Sequence, residues 1–157
     1  MKKIGWGIFV AACVVGPIIA MFALGGFGEG EVKGELLGSG PLVGSFALKA
    51  DACRSGEADG FLGVYLGETG RSDARLKAFQ DPAYGEMVLL QVPDSCEGPR
   101  CKQIILKGES CARFSVRIEK TNTTVNDIVV LDGELSLDCE LASGDKIAGE
   151  LRFEGCH

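Results

Sequence analysis

Seven cysteines and a single histidine carry most of the reactive chemistry in this 157-residue chain. Their types allow three kinds of site: disulfides, a bound metal, or a redox-active thiol pair. Cys96-Glu97-Gly98-Pro99-Arg100-Cys101 is the closest pair. A zinc site from Cys96, Cys101, Cys111 and His157 is the metal reading, but zinc frames show two close ligand steps and only one is present here. Cys-x-x-Cys, the usual redox signature, is absent. Disulfides are therefore expected at Cys53, Cys96, Cys101, Cys111, Cys139 and Cys156. The short Cys96–Cys101 loop lies between two apolar runs and can bring its ends within bonding reach. The other four are expected to pair among themselves, tying the last strands to earlier ones, with the order left open.

Other catalytic constellations are missing. With His157 as the only histidine, a histidine-dependent triad would have its base on the last residue of the sequence. There is no Gly-x-x-x-x-Gly-Lys, no Gly-x-Ser-x-Gly and no His-Glu-x-x-His. No catalytic, cofactor-binding or metal-binding residue is assigned, and the chain is expected not to be an enzyme. The alternative in that class is an exported carbohydrate- or ion-acting enzyme working with two carboxylates. The sole tryptophan, Trp6, lies in the apolar leader, so the usual sugar-stacking platforms are lacking. Tyr65, Tyr84 and the phenylalanines are read as core. Asp127, Asp132 and Glu134 could contribute to a calcium site, without EF-hand spacing. Thr121–Asp127 reads first as a long turn, since its side chains bond their own backbone; a recognition loop is the functional alternative. Asn122-Thr123-Thr124 also satisfies the glycosylation sequon.

The segments that would position these residues fall into two parts, 1–28 and 29–157. Ile4 to Gly28 carries no charge and follows Lys2 and Lys3. A span needs about 20 apolar residues to cross roughly 30 Å of hydrocarbon, so the run is long enough for a transmembrane helix. The lysines would stay cytoplasmic and the rest of the chain would emerge outside. A cleaved secretory signal is the second reading, with small residues in Ala23-Leu24-Gly25. A lipoprotein signal at Val10-Ala11-Ala12-Cys13 is the third; a plain apolar residue in a membrane helix accounts for Cys13 more simply. The expected location is the cell membrane, single-pass with the C-terminal domain extracytoplasmic (periplasmic), or secretion after cleavage. An even number of cysteines after the leader suits an oxidising space.

Glu29–His157 is one domain of ordinary size. Without Lys2 and Lys3 the basic residues fall from 16 to 14 against 22 acidic, a net charge of −8. That balance argues against a nucleic-acid partner and against adhesion to anionic lipid. The triplet Gly-Glu-Leu opens at Gly34, Gly133 and Gly149, and Gly25–Gly30 reads as a flexible joint.

Alternation of period two dominates after residue 30. Leu135, Leu137, Cys139 and Leu141 share one face, and Ile147, Gly149, Leu151 and Phe153 share another, with a turn at Ser143-Gly144-Asp145. Matching faces pairs Leu141 with Ile147, Leu137 with Leu151, Leu135 with Phe153 and Cys139 with Gly149. Phe114–Ile118 and Phe46–Ala50 alternate likewise. Phe61–Leu66, Met87–Val92 and Gln103–Leu106 are denser runs expected to form central strands. Glu31–Leu37, Ala74–Phe79 and Ile128–Leu131 are further strands, with turns at Gly38–Pro41, Glu68–Gly70, Asp81-Pro82 and Asp132-Gly133. The fold class expected is all-β: a disulfide-stabilised antiparallel β-sandwich of eight or nine strands behind one N-terminal hydrophobic helix.

Cys53-Arg54-Ser55-Gly56, Asp81-Pro82, Cys111, Leu137-Asp138-Cys139 and Phe153-Glu154-Gly155-Cys156-His157 give the chain a layout that resembles a group of uncharacterised exported bacterial proteins over residues 41–157. The resemblance implies no activity; Cys96 and Cys101 look like an addition to that pattern, consistent with their pairing. The function expected is a non-enzymatic, membrane-anchored or secreted envelope protein that binds or assembles. Its partners would be the membrane, through the N-terminal helix, and an envelope protein. An accessory or sensor subunit of a membrane complex is a further alternative.

Overall fold

The computed structural model describes residues 30–69, 75–83, 85–92, 95 and 101–157. The leader with its expected helix and Cys13, Tyr84, and Cys96 lie outside these residues. No helix among the described residues is long and apolar enough to cross a membrane.

Ten strands are described: β1 (Gly30–Gly40), β2 (Gly44–Leu48), β3 (Ala52–Ser55), β4 (Gly63–Gly67), β5 (Leu76–Asp81), β6 (Gly85–Gln91), β7 (Gln103–Leu106), β8 (Cys111–Val125), β9 (Ile128–Glu140) and β10 (Lys146–Cys156). The protein is all-β, as alternation required. The strands do not form two facing sheets: they join in one antiparallel sheet of order β7-β6-β5-β4-β3-β1-β10-β9-β8, with β2 also on β1. The sheet curls until its edges nearly meet. At the seam the Val116 N–H donates to Glu86 Oε2 at 3.2 Å, and Gln80 Nε2 donates to the Val116 carbonyl at 3.2 Å. Side chains thus satisfy an edge strand that no further strand pairs. A sandwich and a curled sheet both need apolar residues on alternate positions, so the pattern fits either.

The interior is filled by Leu36, Leu66, Leu90, Leu135, Leu137, Ile147, Leu151 and Phe153, all essentially without solvent contact. Two of the three Gly-Glu-Leu triplets, those at Gly34 and Gly149, have a common role here. Gly34 and Gly149 lie on β1 and β10 at φ 104° and 146°, and a Cβ on either would come within 2.1 Å or 2.2 Å of the facing strand's glutamate carbonyl. The two backbones press together at this point, the following glutamate faces out, and the leucine faces in.

Other expectations change, among them the turn at Gly38–Pro41, whose first three residues belong to β1. Ile147 pairs with Cys139, not Leu141, and Leu151 with Leu135. The faces match as expected, but the register moves by two residues. A shift of two keeps every face, so only turn geometry separates the options. Here Leu141 and Asp145 belong to the turn: the Leu141 N–H donates to the Asp145 carbonyl and the Gly144 N–H to that of Leu141, both at 2.8 Å. Thr121–Val125 is strand; the turn is only Asn126-Asp127, at φ 49° and 65°, the left-handed pair a two-residue hairpin demands. Asp132-Gly133 is interior to β9, where a Cβ on Gly133 would sit 2.0 Å from the Arg117 carbonyl. β7 is a sheet edge with Ile105 61% exposed, not a central strand. β3 was not expected at all, because four residues carry too little alternation to read.

Candidate functional site

The cysteines form two described disulfides. Cys53 on β3 bonds Cys156 on β10, and Cys111 on β8 bonds Cys139 on β9. Cys101 is also disulfide-bonded; Cys96 lies outside the described residues. The first bond ties the last strand to an early one, as anticipated, whereas the second joins neighbouring strands. With Cys101 and Cys111 so engaged, the zinc set considered above does not assemble. Among the described residues no three His, Cys, Asp or Glu side chains converge as metal ligands. Asp132 instead accepts the Gly155 N–H at 2.7 Å, Glu134 pairs with Arg117 at 3.5 Å and Arg152 at 4.0 Å, and Asp127 occupies the hairpin turn. The His157 Nδ1 lies 2.9 Å from the Gly155 carbonyl. Asn122 of the sequon is exposed on β8.

A feature on the outside of the barrel is more distinctive. Every residue of β4, Gly63–Gly67, is buried. Val64 and Leu66 face the interior, so Gly63, Tyr65 and Gly67 must be covered from outside. Tyr65 stands in register with Arg54 on β3 and Lys77 on β5. The Arg54 guanidinium lies 4.2 Å from the ring centroid and the Lys77 ammonium 4.5 Å, a cation on each side of the phenol. The 3₁₀ turn Glu57–Asp59 completes the cover: the Tyr65 hydroxyl donates to Asp59 Oδ2 at 2.6 Å, and Arg54 pairs with the same oxygen at 3.3 Å. Burial, then the hydrogen bond to Asp59 and its charge, raise the Tyr65 pKa above 10.0, against the lowering effect of Arg54.

Phe61 follows that turn and meets Tyr65 edge-on at 5.2 Å and Phe79 at 5.8 Å. It fits there because Gly56 and Gly63 have no side chains; a Cβ on either would strike the ring. Glu57 anchors the other side of the turn, accepting the Val129 N–H at 2.6 Å and pairing with Lys120 at 3.9 Å. The result is a ridge, Phe61-Leu62, with a groove on each flank. One, of about 420 Å³, is lined by Phe61, Leu62, Lys77, Phe79 and Pro82. The other, of about 270 Å³, is lined by Glu57, Leu62, Lys120 and Leu131. Leu62 is 37% exposed at the crest.

The opposite wall shows what an ordinary outer face of this sheet looks like. Arg117, Glu134 and Arg152 sit in register across β8, β9 and β10 and form exposed ion pairs, each worth little in stability. The Arg54–Tyr65–Lys77 row has the same geometry with an aromatic ring in place of the glutamate. No known protein family, curated protein or solved structure matches the chain.

Tyr65 and Phe61, expected in the core, pack together outside the barrel, where Tyr65 is buried. The signal was present: in Phe61–Gly67 both alternate sets are apolar, so one set had to lie on the outer face.

Proposed function

We propose that this chain is a non-enzymatic, membrane-tethered extracytoplasmic module that binds through the Phe61-Leu62 ridge and its grooves. The observation that carries the reading is the second hydrophobic cluster, Ala52, Tyr65 and Phe61, outside a barrel whose interior is already filled. Closing the interior does not require it. Apolar side chains beside a few fixed cations are what a docking site needs. The polar groups present hold one another in ion pairs, hydrogen bonds and ring contacts. Disulfides support an oxidising compartment. The uncharged run Ile4–Gly28 supports a tether.

Photocrosslinking tests this. A photoreactive residue placed at position 62 of the full chain in its native membrane is expected to yield a defined adduct, and one at Ser115, exposed on β8, is expected not to. Equal yields at the two positions would overturn the ridge as the binding surface.

A further inference from the structure

The ridge lies at the end of the barrel where the chain enters it. Gly30 opens β1 in register with Cys53, and Cys53 is in register with Leu66. β3 then runs on past Gly30, with Ser55 opposite Val64. Leu62 is four residues before Leu66 in the sequence, so it projects beyond the level of Gly30 by about 13 Å at strand spacing. The turn after β5 is at the same end, since Phe79 stands opposite Gly63. Leu42, beyond the far end of β1, is about 33 Å the other way.

The chain upstream of Gly30 limits where this end can be. If Ile4–Gly28 is an uncleaved anchor, the proposal above, then Gly30 stands two residues past it. Even with the whole joint Gly25–Gly30 drawn out, six residues span about 20 Å at most. With this end turned toward the bilayer, a ridge about 13 Å beyond Gly30 comes within about 7 Å of it, beside the polar Asn126-Asp127 tip of the β8–β9 hairpin. We infer that this end of the barrel rests on the phospholipid surface, with Leu62 and Pro82 entering the interface and Lys77 and Lys120 among the headgroup phosphates. The inference rests on the tethered reading and names its partner. Glu57 pairs with Lys120, so the site is not strongly basic. Apolar insertion is the dominant contact, and zwitterionic lipid suffices.

Trp6 is the only tryptophan, which makes the experiment direct. The full chain carrying Trp6→Phe and Leu62→Trp is reconstituted in phosphatidylcholine vesicles with brominated acyl chains, beside a control carrying Trp6→Phe and Leu42→Trp. Both leucines are exposed, at 37% and 52%, so neither substitution disturbs the core; circular dichroism checks this. The expected result is several-fold stronger quenching at position 62 than at position 42. Equal quenching, in protein that floats with the vesicles, overturns the inference and leaves the tethered reading standing. Protein that does not float overturns both. A crosslink from position 62 that captures a protein in place of a lipid overturns this inference alone.

Discussion

The Asp145 carboxylate accepts the Val43 N–H at 2.9 Å, joining the β9–β10 turn to the β1–β2 turn across 102 positions of sequence. The same oxygen takes the Leu42 N–H at 2.8 Å, and Ser143 donates to the other. Lys102 closes the cluster by donating to the Leu42 carbonyl at 2.8 Å.

Burial works against the Asp145 charge, but the Ser143 hydroxyl, the Val43 and Leu42 N–H groups and Lys102 outweigh it. The pKa falls below the ordinary 3.8. A depressed acid stabilises the fold above its unfolded pKa and loses that contribution as pH falls through the folded one. Thermal melts should therefore be flat with respect to this group near neutrality and decline below 3.8. Asp145→Asn should melt lower than the parent at neutral pH, with the gap closing in acid. A gap that stays constant with pH would show that the charge is not what matters.

The two described disulfides should differ in worth. Cys53–Cys156 spans 103 positions and Cys111–Cys139 spans 28. Loop-closure entropy assigns about 4.7 kcal/mol to the longer loop and about 3.6 kcal/mol to the shorter. Replacing Cys53 and Cys156 by alanine should cost more stability than replacing Cys111 and Cys139, measured by urea denaturation. The reverse order would show that local strand pairing, not chain entropy, sets their contributions.

Gly133 tests the tight packing within β9. A Cβ there meets the Arg117 carbonyl at 2.0 Å and the buried Phe153 ring at 2.7 Å. Gly133→Val should destabilise by about 1–3 kcal/mol, the usual cost of overpacking, seen as a lower denaturation midpoint. Gly60, with open space around its Cβ position but φ of 81°, tests backbone strain without contact; Gly60→Ala should cost about 1 kcal/mol.

Tyr65 offers a spectroscopic check on the outer cluster. With Tyr84→Phe it becomes the sole tyrosine, and the midpoint of its tyrosinate absorbance should lie above pH 10.0. Because the folded state favours the neutral phenol, this contribution to stability is present below that pH and is lost at higher pH. Asp59→Asn should lower the midpoint, since the hydrogen bond and charge of Asp59 both raise it. An unchanged midpoint would show that burial alone accounts for the shift.

How much of this was legible in the residues depends on range. Leu135, Leu137 and Cys139 announce an inward face by themselves, and so do Ile147, Leu151 and Phe153, because side chains alternate strictly along a strand. The all-β class follows from the same local rules, and the even number of cysteines after residue 28 is read directly from the sequence. A register error of two residues was invisible to those rules, since it leaves every face unchanged. The partner of Cys53 was equally hidden: it lies 103 positions away, and nothing near Cys53 refers to Cys156.

The outer cluster shows the same division. Local alternation was enough to place Phe61 and Tyr65 on one face and Val64 and Leu66 on the other. Only the curled sheet decided which face was inside, where Arg54 and Lys77 would fall against the ring, and that Leu62 would crest a ridge at the end where Gly30 enters. Strand periodicity acts between neighbours in the chain. Sheet closure, disulfide pairing and the ridge depend on contacts between residues far apart in sequence, and those exist only once the barrel has formed.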